Sequence, residues 1–159
     1  MKVLEVKSLN TYYGESHILR NVDLTVNHSE MVCLIGRNGV GKTTLLKSLI
    51  GLLKPKKGEI IFNGNSIIRK EPHQRARSGI GYVPQGREII PYLTVEENLL
   101  KSLSGENTVI VIDHDMEFIR RLESNVTVLN QGSVLCEGSM EQIQKDPKVI
   151  EVYLGKKVS

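Results

Sequence analysis

Met31-Val32-Cys33-Leu34-Ile35-Gly36-Arg37-Asn38-Gly39-Val40-Gly41-Lys42-Thr43-Thr44-Leu45-Leu46 is the stretch that decides the fold. Its first five residues form a continuous apolar run rich in branched side chains, which predicts a strand buried on both faces of a parallel sheet. The run stops at Gly36. Beyond Gly41, the residues Leu45, Leu46, Leu49, Ile50 and Leu53 recur at helical spacing until Pro55 prevents continuation. A strand, a glycine-rich turn and a helix therefore follow in order. Residues 36–43 between them fit G-x-x-x-x-G-K-[ST], in the context that this pattern needs.

The chemistry follows from the residue types. Glycines let the backbone curl so that successive N–H groups point inward at phosphate oxygens, and the helix N-terminus adds partial positive charge there. Gly36, Asn38, Gly39, Gly41, Lys42, Thr43 and Thr44 are the expected phosphate-binding set. Lys42 would reach the β- and γ-phosphates of a nucleotide, and the Thr43 hydroxyl would ligate Mg²⁺.

Working outward, residues 3–9 and 21–26 alternate apolar and polar, which predicts an antiparallel β element turning near Gly14. Downstream, strands are expected at 58–63 and 79–83, and Thr94-x-x-Glu97 should start a helix through Leu100. Residues 108–112 (TVIVI) are a second fully apolar, β-branched run. A helix over 116–122, strands over 125–129 and 133–136 about a turn at 130–132, and a helix from Ser139 with Gln142 completing a capping box close the chain.

Composition narrows the function. With 21 Lys+Arg against 18 Asp+Glu, both signs interspersed, and 4% aromatics, the chain is neither a strongly basic nucleic-acid binder nor a stacking platform for bases. Cys33 and Cys136 lie far apart outside any C-x-x-C, so neither a disulfide framework nor a zinc site is expected. No apolar run approaches a membrane span of ~18 residues, and a soluble protein without an export signal, in a reducing cytoplasm, is the expectation.

Taken together, Asn10-Thr-Tyr-Tyr-Gly-Glu-Ser-His-Ile-Leu19, the phosphate loop, Gly81-Tyr-Val-Pro-Gln85-Gly-Arg-Glu and Ile112-Asp-His-Asp115 resemble the ATP-binding subunit of an ABC transporter. Within that family the chain most resembles importers of branched-chain amino acids and, more closely, of urea or short amides. The resemblance implies an α/β fold: a P-loop NTPase core with a mainly parallel sheet plus an N-terminal antiparallel β element, in a single domain over 1–159. It implies ATP and Mg²⁺ as cofactors, with Tyr13 stacking on adenine and Gln85 contacting Mg²⁺ or the attacking water. His114 would contact the γ-phosphate, giving a catalytic set of Lys42, Gln85 and His114, and a metal set of Thr43 and Gln85. The implied partners are transmembrane permease subunits and a second ATPase subunit, which place the chain in the cytoplasm on the inner face of the cell membrane. Arg75 and Arg77 would lie on an ordinary surface helix, not in the arginine-rich lid of a small kinase.

The chain also departs from the family. Only about two dozen residues separate Gln85 from Val109, too few for the helical subdomain, the LSGGQ signature and the Walker B strand. No aliphatic run followed by Asp-Glu occurs anywhere. Leu103-Ser-Gly-Glu106 carries the start of a signature or a simple turn before the 108–112 strand. A seam is expected within 101–107, either a true internal deletion or a place where residues are missing from the sequence. Two further expectations follow. Without the Walker B pair the chain would bind nucleotide but hydrolyse it poorly, and residues 108–112 would become an apolar sheet edge.

Overall fold

The computed structural model describes residues 1–81, 108–113, 116–121 and 124–154. The first 27 residues make a long hairpin, β1 (Lys2–Tyr13) and β2 (Ser16–Asn27), joined through Gly14 and Glu15. β4 (Lys57–Phe62) and the two-residue β5 (Asn65–Ser66) extend it into an antiparallel sheet of order β2-β1-β4-β5. The second sheet has the order β6-β3-β7-β8, where β3 is Met31–Ile35, β6 Val109–Ile112, β7 Asn125–Asn130 and β8 Ser133–Ser139. β6, β3 and β7 run parallel, and β8 returns antiparallel to β7. This is the mainly parallel core sheet with an antiparallel N-terminal element that the sequence predicts.

Alternation explains why β3 reads as an unbroken apolar run. Val32 and Leu34 point into one cluster, formed with the N-terminal sheet, Leu45 and Leu49. Cys33 and Ile35 point into a second cluster with Val126, Val128, Ile119, Met140 and Ile143. Both faces are dry, so no position on the strand is free to be polar.

Among the described residues the helices are α1 (Lys42–Ile50), α2 (Pro72–Arg77), α3 (Met116–Arg121), α4 (Met140–Lys145) and α5 (Pro147–Leu154). The capping box at the start of α4 is present, with Ser139 accepting from the Gln142 amide and the Gln142 side chain accepting from the Ser139 amide. A second capping box, Glu71 with Gln74, starts α2 behind Pro72 at its first position.

Two expectations are corrected. Residues 79–81, the described part of the strand expected at 79–83, are turn and coil after α2. Arg75 is not a surface residue: it is 1% exposed. Its guanidinium donates to the carbonyls of Ser48 (2.8 Å) and Leu49 (2.7 Å), and also to those of Lys70 (2.9 Å) and Ile68 (3.0 Å). It thereby closes the last turn of α1, where carbonyls lack partners and a cation favours the helix dipole. Gly51, at φ 85°, makes room, since a Cβ there would lie 2.9 Å from the Arg75 Nε. The expected helix at 94–100 and the seam at 101–107 lie outside the described residues.

Candidate nucleotide-binding site

The site is the loop between β3 and α1. Gly41, at φ 111°, is the N-cap of α1 and leaves it without a side-chain cap, and the first turn holds no acidic residue. The first rung of the helix ladder runs from the Leu45 amide to the Gly41 carbonyl at 2.8 Å. The amides of Lys42, Thr43 and Thr44 thus precede the ladder, at the positive end of a helix whose charge nothing local offsets. Such an end is a ready anion seat.

Lys42 arches back over the loop. Its Nζ donates to the carbonyls of Gly36 (2.7 Å) and Arg37 (3.0 Å), and partial burial lowers its pKa below a lysine's ordinary value. Arg37, Asn38, Gly39 and Thr43 are exposed around it, whereas the Thr44 side chain is buried. Thr44 can therefore offer a ligand only its amide, while Thr43 is exposed. No group of three metal-ligating His, Cys, Asp or Glu side chains occurs among the described residues. A Mg²⁺ ion here would be held by the Thr43 hydroxyl together with phosphate oxygens and waters, a donor set that suits this hard, partly hydrated cation.

Close backbone packing fixes the loop on three sides. A Cβ on Gly41 would come 2.8 Å from the Leu19 Cδ2, so β2 abuts the start of α1. A Cβ on Gly36 would come 2.6 Å from the Leu129 carbonyl on β7. The turn between β7 and β8 supplies the third wall: the Gly132 amide donates to the Val40 carbonyl (3.1 Å), and the Gly132 carbonyl accepts from the Arg20 amide (2.7 Å). Gly132 has φ 81°, and a Cβ would collide with the Ile18 carbonyl. The turn is visible in the sequence, but nothing local tells that its glycine buttresses a loop some ninety residues earlier.

Of the predicted site residues, Gly36, Asn38, Gly39, Gly41, Lys42, Thr43 and Thr44 come together in this loop. Tyr13 lies at the tip of the β1–β2 hairpin, paired with Ser16, two residues before the Ile18 that lines Gly41. It is 47% exposed, while its neighbour Tyr12 is stacked on His17, ring centroids 4.1 Å apart, with the Lys56 ammonium 4.4 Å from the Tyr12 ring. Adjacent strand residues face opposite ways, so Tyr13 is the tyrosine left available. Gln85 and His114 lie outside the described residues. The strand leading to His114 does end beside the loop: Ile112 on β6 is level with Leu34 on β3. No helix among the described residues is long and apolar enough to cross a membrane.

Comparison with known proteins agrees with this geometry. The chain is 42% identical over 97 residues to the branched-chain amino acid transport ATP-binding protein LivF of Archaeoglobus fulgidus, a match covering 61% of this chain and 41% of that protein. It is 41% identical over 103 residues to the lipopolysaccharide export system ATP-binding protein LptB of Haemophilus influenzae, covering 65% and 43%. It is also 27% identical over 161 residues to the hemin import ATP-binding protein HrtA of Staphylococcus haemolyticus, covering 92% and 73%. The chain thus spans less than half the length of the first two relatives. In fold it resembles a nucleotide-free ATP-binding cassette from an ABC transporter, with TM-score 0.80 at 19% identity over 98% of this chain and 100% of that one. The ADP conformation of MJ1267, an ATP-binding cassette of an ABC transporter, gives TM-score 0.80 at 18% identity over 98% of this chain and 100% of that one. A family model described as ABC transporter matches residues 19–148, and the chain belongs to that family.

Proposed function

We propose that the chain is the ATP-binding subunit of an ABC importer of the urea or branched-chain amino acid type, working with permease subunits and a second ATPase subunit at the inner face of the cell membrane. One observation carries the nucleotide reading: an uncapped, positively ended α1 with Lys42 arched over the loop before it. Bound phosphates would take the place of the Gly36 and Arg37 carbonyls as partners of Lys42 and accept from the amides of Lys42, Thr43 and Thr44. Thr43 and Gln85 would hold Mg²⁺, which supplies charge neutralisation across the β- and γ-oxygens. Tyr13 would stack on the adenine, and Gln85 and His114 would position the attacking water and the γ-phosphate. The LivF similarity supports the importer type, while LptB, an export component, is matched almost as well. The solute is therefore tested on the whole transporter, by asking which of urea and branched-chain amino acids stimulates its ATPase.

A second reading has its own support. The sequence has no aliphatic run ending in Asp-Glu, and β6 is an edge strand among the described residues. A chain lacking a carboxylate base would bind ATP and release little phosphate. Measuring ATP affinity and phosphate release on this chain separates the two. Turnover abolished in Lys42→Ala supports the ATPase, tight binding without release supports the module, and unchanged binding in that variant sinks both.

A further inference from the structure

Two hydroxyls are buried where the hairpin meets α1. Thr11 on β1 and Ser48 on α1 are each 0% exposed, with their Oγ atoms 3.1 Å apart. Ser48 spends its one proton on the Thr44 carbonyl at 2.8 Å, so the bond between the hydroxyls runs from Thr11 to Ser48. A directed chain thus leads from β1 to Thr44 in the phosphate loop. The cluster around it is apolar, with Leu9, Leu19, Leu45 and Leu49. Apolar contact sets how closely the hairpin lies on α1, whereas a directional bond sets where along the helix it sits.

We propose that Thr11 and Ser48 are positioning residues for the nucleotide, fixing the span between Tyr13 and the phosphate loop so that one ligand can reach both. The proposal rests on the reading of Tyr13 as the residue that stacks on adenine. Both strands of the hairpin are fastened to α1 at one level, since Thr11 and Leu19 are cross-strand partners. Leu19 lies against Gly41 at the N-cap, and Thr11 bonds to Ser48 seven residues on. The two attachments are about 10 Å apart along the helix axis, which fixes the tilt of the hairpin as well as its place.

Beyond that level the hairpin is braced. His17 Nε2 lies 2.9 Å from Asn10 Oδ1, an acceptor, so this nitrogen donates. The Asn10 amide group donates in turn to Asn21 Oδ1 and to the Ser8 carbonyl, each at 2.8 Å. Tyr12 stacks on the ring so held, and Lys56, beside the Tyr12 ring, donates its amide to the Asn10 carbonyl at 2.8 Å. Tyr13 is the next residue. A hairpin that shifted on α1 would therefore carry Tyr13 with it relative to the loop.

The test uses the full chain and calorimetry with two ligands, Mg–ATP and Mg–tripolyphosphate, the second having phosphates and no base. Thr11→Val keeps the side-chain shape and strands no donor, so the circular dichroism spectrum should be unchanged. It should weaken ATP about three- to tenfold and leave tripolyphosphate alone. Tyr13→Ala should weaken ATP roughly tenfold or more, and Thr11→Val should add nothing in that background. Thr11→Ser, which keeps the hydroxyl, should bind both ligands as the wild type does. Should Thr11→Val fail to fold, Ser48→Ala breaks the same bond from the helix side and should show the same selective loss. Equal weakening of both ligands, no change in either, or a further loss on top of Tyr13→Ala would overturn the proposal. ATP binding indifferent to Tyr13→Ala sinks the stacking reading and the proposal with it, whereas failure of the proposal alone leaves Tyr13→Ala impaired.

Discussion

Arg75 is a cation that satisfies four carbonyls in a place where water cannot. Burial pushes its pKa below the usual arginine value, an effect partly offset by nearby Glu71, yet arginine stays charged throughout the physiological range. Replacing it by Met keeps the volume but strands the carbonyls of Ser48 and Leu49, so Arg75→Met should lose about 3–5 kcal/mol and lower Tm by roughly 10 °C. Arg75→Lys should recover part of this, and a melting curve distinguishes the three proteins. The Lys42 pKa is lowered in the free protein by burial, and a bound phosphate raises it, so binding takes up a proton at alkaline pH. Phosphate or ATP affinity should be flat below the lowered pKa and fall as pH rises through it, measured by titration calorimetry. Lys42→Ala should bind roughly ten- to a hundredfold more weakly and lose that alkaline dependence.

At the scale of elements, the two thiols report which strand is core. Cys33, on the central strand β3, is fully buried, and burial raises its pKa despite a hydrogen bond from the Ser124 hydroxyl at 3.1 Å. Cys136, on β8, is half-buried, raised by burial and by Asp146. In a thiol-labelling assay, native protein should therefore modify Cys136 slowly and Cys33 only at the rate of global unfolding. Ser139→Ala removes the α4 cap and should cost about 1 kcal/mol, read from denaturant melts. The same elements show what sequence could and could not tell. β3 and the start of α1 were legible because periodicity and a glycine stop agreed, but α1 ends at Ile50 with Gly51 in the left-handed C-cap conformation, short of the Leu53 and Pro55 to which the pattern ran. The capping box of α4 was legible because its two capping hydrogen bonds join residues only three apart in sequence. α2 was not read from its own pattern: six mostly polar residues give no periodicity, and the burial of Arg75 is decided by carbonyls some 26 residues away. The role of Gly132 was hidden for the same reason, since its partners Ile18 and Val40 are remote in sequence.

At the scale of the whole molecule, the phosphate loop is where the two halves of the fold meet. β2 touches it through Leu19 at Gly41, β7 through the Leu129 carbonyl at Gly36, and the β7–β8 turn through Gly132 at Val40. The loop also joins β3, whose two faces feed both hydrophobic clusters, to α1, which Arg75 ties to α2. A ligand that orders this loop therefore braces elements from residue 19 to residue 132 at once. Its binding energy should appear as stability of the entire chain, not of a local segment. Nucleotide with Mg²⁺ at a hundredfold excess over Kd contributes about 2.7 kcal/mol, which for a chain of this size raises Tm by roughly 5–10 °C. The shift should be the same by far-ultraviolet circular dichroism and by exposure of Cys33, because one transition carries both clusters. Gly132→Ala, which forces the turn away from Ile18, should both lower the ligand-free Tm and shrink the nucleotide-induced shift. If that variant melted earlier yet kept the full shift, the turn would be a stabilising contact only, and the loop would hold its binding shape without it.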